Sequence, residues 1–440
     1  MKARSCALRA NSAQFSILPI RAVRPEVGPC LALRACMSTI NQQPFQKFSN
    51  TPIPRTPRIS QAVDTIEKLT LLSDDSKYDL SCSCGTDEAT RRKKQKDGTW
   101  LYPVQLAAGG TGVLFKTLLS NACSSDCRYC PLRHDGASRR CSLSPDEAAA
   151  AFMEFNRRQW LLGAFFSSGI VGSPDRTMEM LTDTAAILRK RHKYRGYIHL
   201  KIIPGASDAA VRRAMQLSSA VSLNIEVPGE QYFNELSKYK RFAEDIVRPI
   251  KLMAEMTKRD AEFSRVKCST QFIVGAASEP DSAIVRYMGG IYERLRFQRI
   301  YFSAYQPQNP GESDGENFQL SAAAGESPAE KRAMREHRLY QTDYLLRSYK
   351  FSAGEIAFGA NGNLSLAEDP KKCWADAHPE FYPIRVNTAA REELLRVPGI
   401  GPVQASRIIA ARKTGKLRDW SDIGMRGKNA AKPLGYATFG

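Results

Sequence analysis

Three cysteines stand at C-x3-C-x2-C spacing in Cys123-Ser124-Ser125-Asp126-Cys127-Arg128-Tyr129-Cys130. A loop with that spacing can wrap three corners of a cubane iron–sulfur cluster and leave the fourth iron without a protein ligand. An open iron can bind a small molecule through its amine and carboxylate. A structural zinc site is the alternative. Zinc takes four ligands, usually as two spaced pairs, and here only His134 and Cys141 stand near enough in sequence to complete the set.

The residues around the cysteines must present them at the end of a strand. The run Gly112–Leu119 is strand-like and Ser120-Asn121 forms a turn before Cys123. From about 110 to 306, apolar runs alternate with helical patterns. Strands are expected at Gly112–Leu119, Leu162–Ser167, Tyr197–Ile203, Ala220–Val227, Ser269–Val274 and Arg299–Ala304. Helices are expected at Pro145–Gln159, Thr177–Arg191, Ala206–Gln216, Tyr232–Leu236 leading to Phe242–Lys258, and Asp281–Leu295. Strand–helix alternation implies a parallel sheet with right-handed crossovers, and ligands at the carboxyl ends of its strands.

The expected strand ends carry polar or small residues. Ser168 and Gly169 follow the second strand, and Lys201 lies near the end of the third. The two-residue period of a strand puts Asn224 and Glu226 on one face of the fourth, where they could bond a ribose or a carboxylate. Gly275 follows the fifth. With Tyr129 before the last cysteine, the cluster stretch resembles the signature of the radical S-adenosylmethionine (SAM) superfamily. The resemblance implies an α/β fold with a partial (β/α)6, TIM-like barrel, and a [4Fe-4S] cluster held by Cys123, Cys127 and Cys130. It implies SAM on the open iron, a turn at Ser168–Gly169 holding the SAM amino group, and an adenine-contacting turn at Gly275. The two-glycine form of the first turn is missing here. One electron passed to the sulfonium would give methionine and a 5′-deoxyadenosyl radical, the protein orienting the substrate. An electron donor such as a flavodoxin or ferredoxin is the implied partner. Cys141, Cys268 or Tyr305 could donate a hydrogen or an electron, although a buried thiol is the ordinary role of such cysteines.

The segment Val386–Ile409 resembles a helix-hairpin-helix nucleic-acid-binding motif, turning at Val397-Pro398-Gly399-Ile400-Gly401. Amides at the start of its second helix would meet phosphates. Residues 384–440 hold eleven Lys and Arg against four Asp and Glu, as backbone binding requires. Pro398, Gly399, Ile400 and Gly401, with Arg407, Arg412, Lys413 and Lys416, are the expected contacts with DNA or RNA. A protein-interaction helical pair is the other reading. Barrel and tail together resemble radical SAM proteins assigned to DNA modification or repair, whose motifs leave the substrate atom open. The competing class is an iron–sulfur nucleic-acid-binding protein without turnover.

The remaining stretches are less informative. The 440 residues carry a formal charge of +19, which favours a polyanionic partner. No apolar run approaches the roughly 18 residues of a membrane span. Eleven irregularly spaced cysteines fit a reducing compartment better than a disulfide framework. Residues 1–36 are Arg-rich and acid-poor; either an over-extended reading frame with Met37 as a second start, which we favour, or a transit peptide is expected. The corresponding locations are cytoplasm or mitochondrion. The Cys82-Ser83-Cys84 pair could help hold a second cluster, with ordinary thiols the favoured reading, and Arg91–Lys96 is a basic loop. Within the helix expected at 335–347, His337 and Arg338 either face the barrel mouth or are satisfied locally. The expected organisation is an extension (1–57), a helical or loop segment (58–109), the barrel (110–306), a linker with a packed helix (307–383) and a small all-α helix-hairpin-helix domain (384–440).

Overall fold

A computed structural model describes residues 64–76, 100–105, 111–136, 138–158, 161–306 and 327–440. The Cys82–Cys84 pair, the basic run 91–96 and the N-terminal extension lie outside the described residues. Helix α1 (Thr65–Asp75) precedes strands β1 (Leu101–Gln105) and β2 (Thr111–Leu118). Then come α2 (Pro145–Arg158), β3 (Gly163–Ser167), α3 (Pro174–Ala186), β4 (Tyr197–Lys201), α4 (Asp208–Leu217) and β5 (Ala220–Ser222). The barrel ends with α5 (Glu230–Leu236), α6 (Arg248–Met256), β6 (Lys267–Val274), α7 (Asp281–Gly290) and β7 (Arg299–Ala304).

The seven strands form one sheet in chain order, β1-β2-β3-β4-β5-β6-β7. β2 to β7 are parallel neighbours, so each helical crossover leads to the next strand. All six expected parallel strands are present. β1 pairs antiparallel with β2 at the sheet's end and was not expected; an edge is where a strand tolerates Pro103, which has no amide to donate. Buried side chains fill the space between sheet and helices. Phe115, Phe152 and Phe166 are wholly buried, with Phe115 edge-on to both others, and such burial contributes about 1.5–3 kcal/mol per ring.

The fourth parallel strand departs from its expected span. It stops at Ser222 rather than Val227. Beyond it, the amides of Ile225 and Glu226 both donate to Gln271 O at 3.1 Å, and Glu226 takes φ +66°. Two residues against one is a bulge, which re-aims side chains and disrupts the ladder.

β7 is the sheet's other end, and an end strand leaves alternate amides unpaired. Here they are capped by side chains. Ile300 N donates to Tyr292 Oη at 3.1 Å, Phe302 N to Tyr340 Oη at 3.1 Å, and Ala304 N to Glu336 Oε2 at 2.8 Å; Tyr340 Oη donates back to Phe302 O at 2.9 Å. Tyr340 and Glu336 belong to α8 (Pro328–Tyr349), which starts with a Ser327–Glu330 capping box. The same helix buries Arg335, whose Nε bonds Asp281 Oδ1 and whose Nη2 bonds Glu279 O, both at 2.7 Å. Arg338 is satisfied locally: its guanidinium donates to the carbonyls of Leu366 and Ala367 rather than facing the barrel mouth.

The C-terminal segment has its own apolar cluster, running from Ile384 to Met425. Helix α9 (Pro370–Ala377) leads to β8 (Ile384–Arg385), α10 (Arg391–Arg396) and α11 (Pro402–Ala411). The segment is not purely helical, because β8 pairs in parallel with β9 (Ala437–Thr438). Among the described residues no helix is long and apolar enough to cross a membrane.

Replacing Tyr340 with Phe removes both hydrogen bonds to Phe302 while keeping the ring. A buried amide and carbonyl left unpaired should cost about 1–3 kcal/mol. Urea unfolding should show a lower midpoint with an unchanged m-value; an unchanged midpoint would remove this role from the hydroxyl.

Candidate active site

The cluster loop has little regular structure and is held by side chains. Arg140 is buried and donates from Nη1 to Asn121 O (2.5 Å) and Leu132 O (3.2 Å), and from Nη2 to Arg133 O (2.8 Å) and Gly136 O (3.0 Å). The Asn121 side chain accepts from Cys141 N (2.7 Å) and donates to Asp75 (2.6 Å) and Arg139 O (2.8 Å). The turn after β3 completes the cradle: Gly169 N donates to Ser120 O at 2.7 Å, and Ser124 N to Ile170 O at 2.9 Å. A Cβ at Gly169 would lie 2.5 Å from Ala122 O and 3.1 Å from Cys123 Cβ. Glycine here serves close approach to the cluster loop.

All three cysteines line one cavity, together with residues from the carboxyl ends of all six parallel strands: Leu118, Ser167, Lys201, Leu223, Ile273 and Ser303. Strand ends from β2 to β7 can meet around one cavity only if the sheet curls, which makes it a partial barrel. Ser168, Gly169, Asn224 and Glu226 line the cavity as well. Asn224 and Glu226 share that wall through the bulge, not through strand alternation, and Asn224 Nδ2 donates to Glu226 Oε2 at 3.3 Å. Gly275 does not belong to the wall. Its amide donates to Glu279 Oε1 at 2.6 Å, inside the turn that Arg335 secures.

Burial raises the Glu226 carboxyl above its ordinary pKa, against the opposing pull of the Lys201 charge. Burial, followed by the charges of Cys127 and Cys123, raises the Cys130 thiol. Both other sulfurs are therefore within electrostatic reach of Cys130. Each of the three also has a donor. Cys123 Sγ accepts from Ser125 N (3.5 Å) and Ile170 N (3.4 Å), and Cys127 Sγ lies 3.4 Å from Ser125 Oγ and 2.9 Å from Lys240 Nζ. The Leu132 amide serves Cys130.

Among the described residues no three His, Cys, Asp or Glu side chains converge as they would on a single ion. A cubane instead takes its thiolates at separate corners, and its sulfur ligands are tuned by hydrogen bonds of this kind. The donor set fits a cluster. It does not fit the zinc alternative. His134 Nδ1 sits 3.3 Å from Ser125 O with its ring stacked on Tyr239, and Cys141 is buried with Sγ 4.0 Å from Lys68 O. Cys268 is likewise a buried thiol, against Met253 O, whereas Tyr305 lines the cavity. Sequence reasoning missed Arg140, Lys240 and Glu336, the last of which both caps Ala304 and lines the cavity.

In the tail the expected contacts divide. Arg407, Lys413 and Lys416 are exposed, and Gly399 is exposed with φ +85°. Arg407 shares a shallow groove with Arg391, Val403 and Ser406. Pro398 and Ile400 are buried inside the hairpin, so their side chains cannot meet a phosphate. Gly401 is half-buried, and a Cβ there would lie 3.0 Å from Tyr349 Oη. Arg412 is half-buried, with its Nη1 committed to the carbonyls of Val386 (3.1 Å) and Ala389 (2.8 Å).

Replacing Gly169 with Ala should push the cluster loop outward, at about 1–3 kcal/mol of overpacking. Iron uptake should fall well below wild type while the circular dichroism spectrum is kept. Normal iron content and an unchanged melting temperature would contradict this use of glycine.

No family model matches the chain, and no curated protein matches it. Among solved structures the chain is similar to the FeFe-hydrogenase maturase HydG from Carboxydothermus hydrogenoformans, at 15% identity over 52% of this chain and 51% of that one, with TM-score 0.39. A second HydG structure gives 12% identity over 52% and 50%, TM-score 0.37. Methylornithine synthase PylB gives 14% over 52% and 63%, TM-score 0.38. The chain thus spans between half and just under two thirds of the length of these structures.

Proposed function

We propose that this chain is a radical SAM enzyme acting on nucleic acid in modification or repair. The observation that carries the reading is the meeting of three hydrogen-bonded cysteine sulfurs with the ends of six parallel strands in one cavity. Cys123, Cys127 and Cys130 would hold a [4Fe-4S] cluster, which when bound would supply the one-electron reduction that cleaves the SAM sulfonium. The chain's own residues bind and orient. Ser168 and the turn around Gly169 lie beside the cysteines for the SAM amino group, while Lys201, Asn224 and Glu226 offer charge and hydrogen bonds to its carboxylate and ribose. Buried walls keep water from the reacting atoms. A small electron-transfer protein such as a flavodoxin or ferredoxin supplies the electron.

Nucleic acid is the substrate class that the basic tail favours. Arg407, Lys413 and Lys416 stand exposed on or just after α11, and Arg391 lines the same groove as Arg407. Contacts from such groups go to phosphates and position the substrate without reading its sequence.

Two experiments test the halves of the reading. Anaerobic reconstitution should give about four irons per chain, with an electron paramagnetic resonance spectrum that changes on adding SAM. Reductant, SAM and DNA or RNA should then yield many equivalents of 5′-deoxyadenosine and a nucleoside of altered mass; Cys127→Ala should abolish both. Cluster without turnover would leave a non-catalytic iron–sulfur binding protein, and zinc in place of iron would sink the cluster. For the tail, the slope of log affinity against log salt should fall by about 2–3 when Arg407, Lys413 and Lys416 are all changed to Ala. An unchanged slope would move the nucleic-acid contact elsewhere.

A further inference from the structure

The donors on the three cysteine sulfurs are not equivalent. Those on Cys123 and Cys130 are backbone amides. Among the described residues, Cys127 is the one that takes a direct hydrogen bond from a charged group, Lys240 Nζ at 2.9 Å. Lys240 comes from a turn 113 residues further along the chain, and that turn is gripped by the cluster loop itself. The Asp126 carboxylate, one residue before Cys127, accepts from Ser237 Oγ and from Lys238 N (2.7 Å). Ser237 Oγ in turn accepts from Lys240 N at 3.2 Å, and Arg128 N donates to Leu236 O at 2.9 Å. The cluster loop therefore holds in place the cation that sits on one of its own sulfurs.

We infer that Lys240 is a positioning and tuning residue for the cluster, its ammonium on Cys127 Sγ making the cluster easier to reduce. The inference rests on the cluster reading above. Reduction adds one negative charge to a cluster whose three thiolates already make it anionic. A fixed positive charge against a ligand sulfur stabilises the reduced form more than the oxidised one, and hydrogen bonds to the sulfurs act in the same direction. Splitting a sulfonium demands a low potential, yet the electron must still arrive from a protein donor. Lys240 sets where between those limits the cluster falls, and Asp126 fixes the ammonium at the distance that makes it effective.

The test is a potentiometric titration of the full-length, anaerobically reconstituted chain, followed by electron paramagnetic resonance without substrate. Lys240→Met should take up as much iron as wild type, and its one-electron reduction constant should fall tenfold or more, about 59 mV for a one-electron couple. Lys240→Arg keeps the charge and should stay near wild type. Ser237→Ala leaves every charge in place but removes the hydroxyl that Lys240 N and the Asp126 carboxylate bond, and should move the potential the same way by less. Equal potentials in all four proteins overturn the inference. So does an Arg variant that shifts as far as the Met variant, because charge would then not be the cause. Should Lys240→Met take up no iron, the Ser237→Ala shift decides. A wild-type chain that assembles no cluster fails the earlier reading instead, and is seen as such in the iron analysis.

Discussion

One buried guanidinium holds the rest of the site in place. A loop that must spread three sulfurs around a common centre cannot be helix or strand, so its carbonyls lack the partners that regular structure supplies. Arg140 collects four of them, from Asn121, Leu132, Arg133 and Gly136. Bonds to a charged donor are worth about 1.5–3 kcal/mol each before any cost of burying the charge. Asn121 supplies the complement, taking an amide and giving its own N–H groups on the other side of the loop. Without these two residues the cysteines would sit on a flexible strap, and a cluster would have to order it at the expense of its own binding free energy.

The same difficulty recurs at the sheet's open end. A partial barrel has edges, and an uncovered edge invites pairing with another chain. β1 closes one end as an antiparallel strand. At the other, α8 reads β7 with two side chains, and Tyr292 adds a third. This explains a helix that buries Arg335, Glu336, Arg338 and Asp343. Its polar face is needed because what it covers is backbone as well as apolar side chain. Glu336 joins the edge to the cavity, so strand order and site geometry are coupled there.

What could be read from the sequence was whatever has a local period. Six apolar runs marked the six parallel strands, and the cysteine spacing marked the loop that they present. The bulge after Ser222 left no such mark. Asn224 and Glu226 still reach the cavity wall, but through the positive φ of Glu226, which pattern alone would not assign to a glutamate. Lys240 and Arg140 were invisible for a different reason. Lys240 acts on a sulfur 113 residues away, and Arg140 acts on nearby carbonyls of a kind every residue carries, so no spacing announces either. Arg412 shows the converse case: a cation just past the helix looks wholly available until the carbonyls of Val386 and Ala389 on its Nη1 are seen.

The tail's hairpin is anchored on its inner side by the core. Lys371 Nζ donates to Ile400 O at 2.6 Å and lies 4.5 Å from the centre of the Tyr349 ring. Arg396 stacks over Phe351 at 3.8 Å and forms an ion pair with Glu355 at 2.6 Å. On the hairpin's other flank, a Cβ at Gly399 would lie 2.6 Å from Lys432 Cβ. A hairpin fixed at these points presents Arg407, Lys413 and Lys416 from a rigid support. Under the nucleic-acid reading proposed above, rigid support would matter, because phosphate contacts carry no sequence information and their value would lie in where they place the strand relative to the cavity. Support that is already ordered in the free protein leaves little conformational entropy to be lost on binding, and the contact free energy then goes into affinity and position.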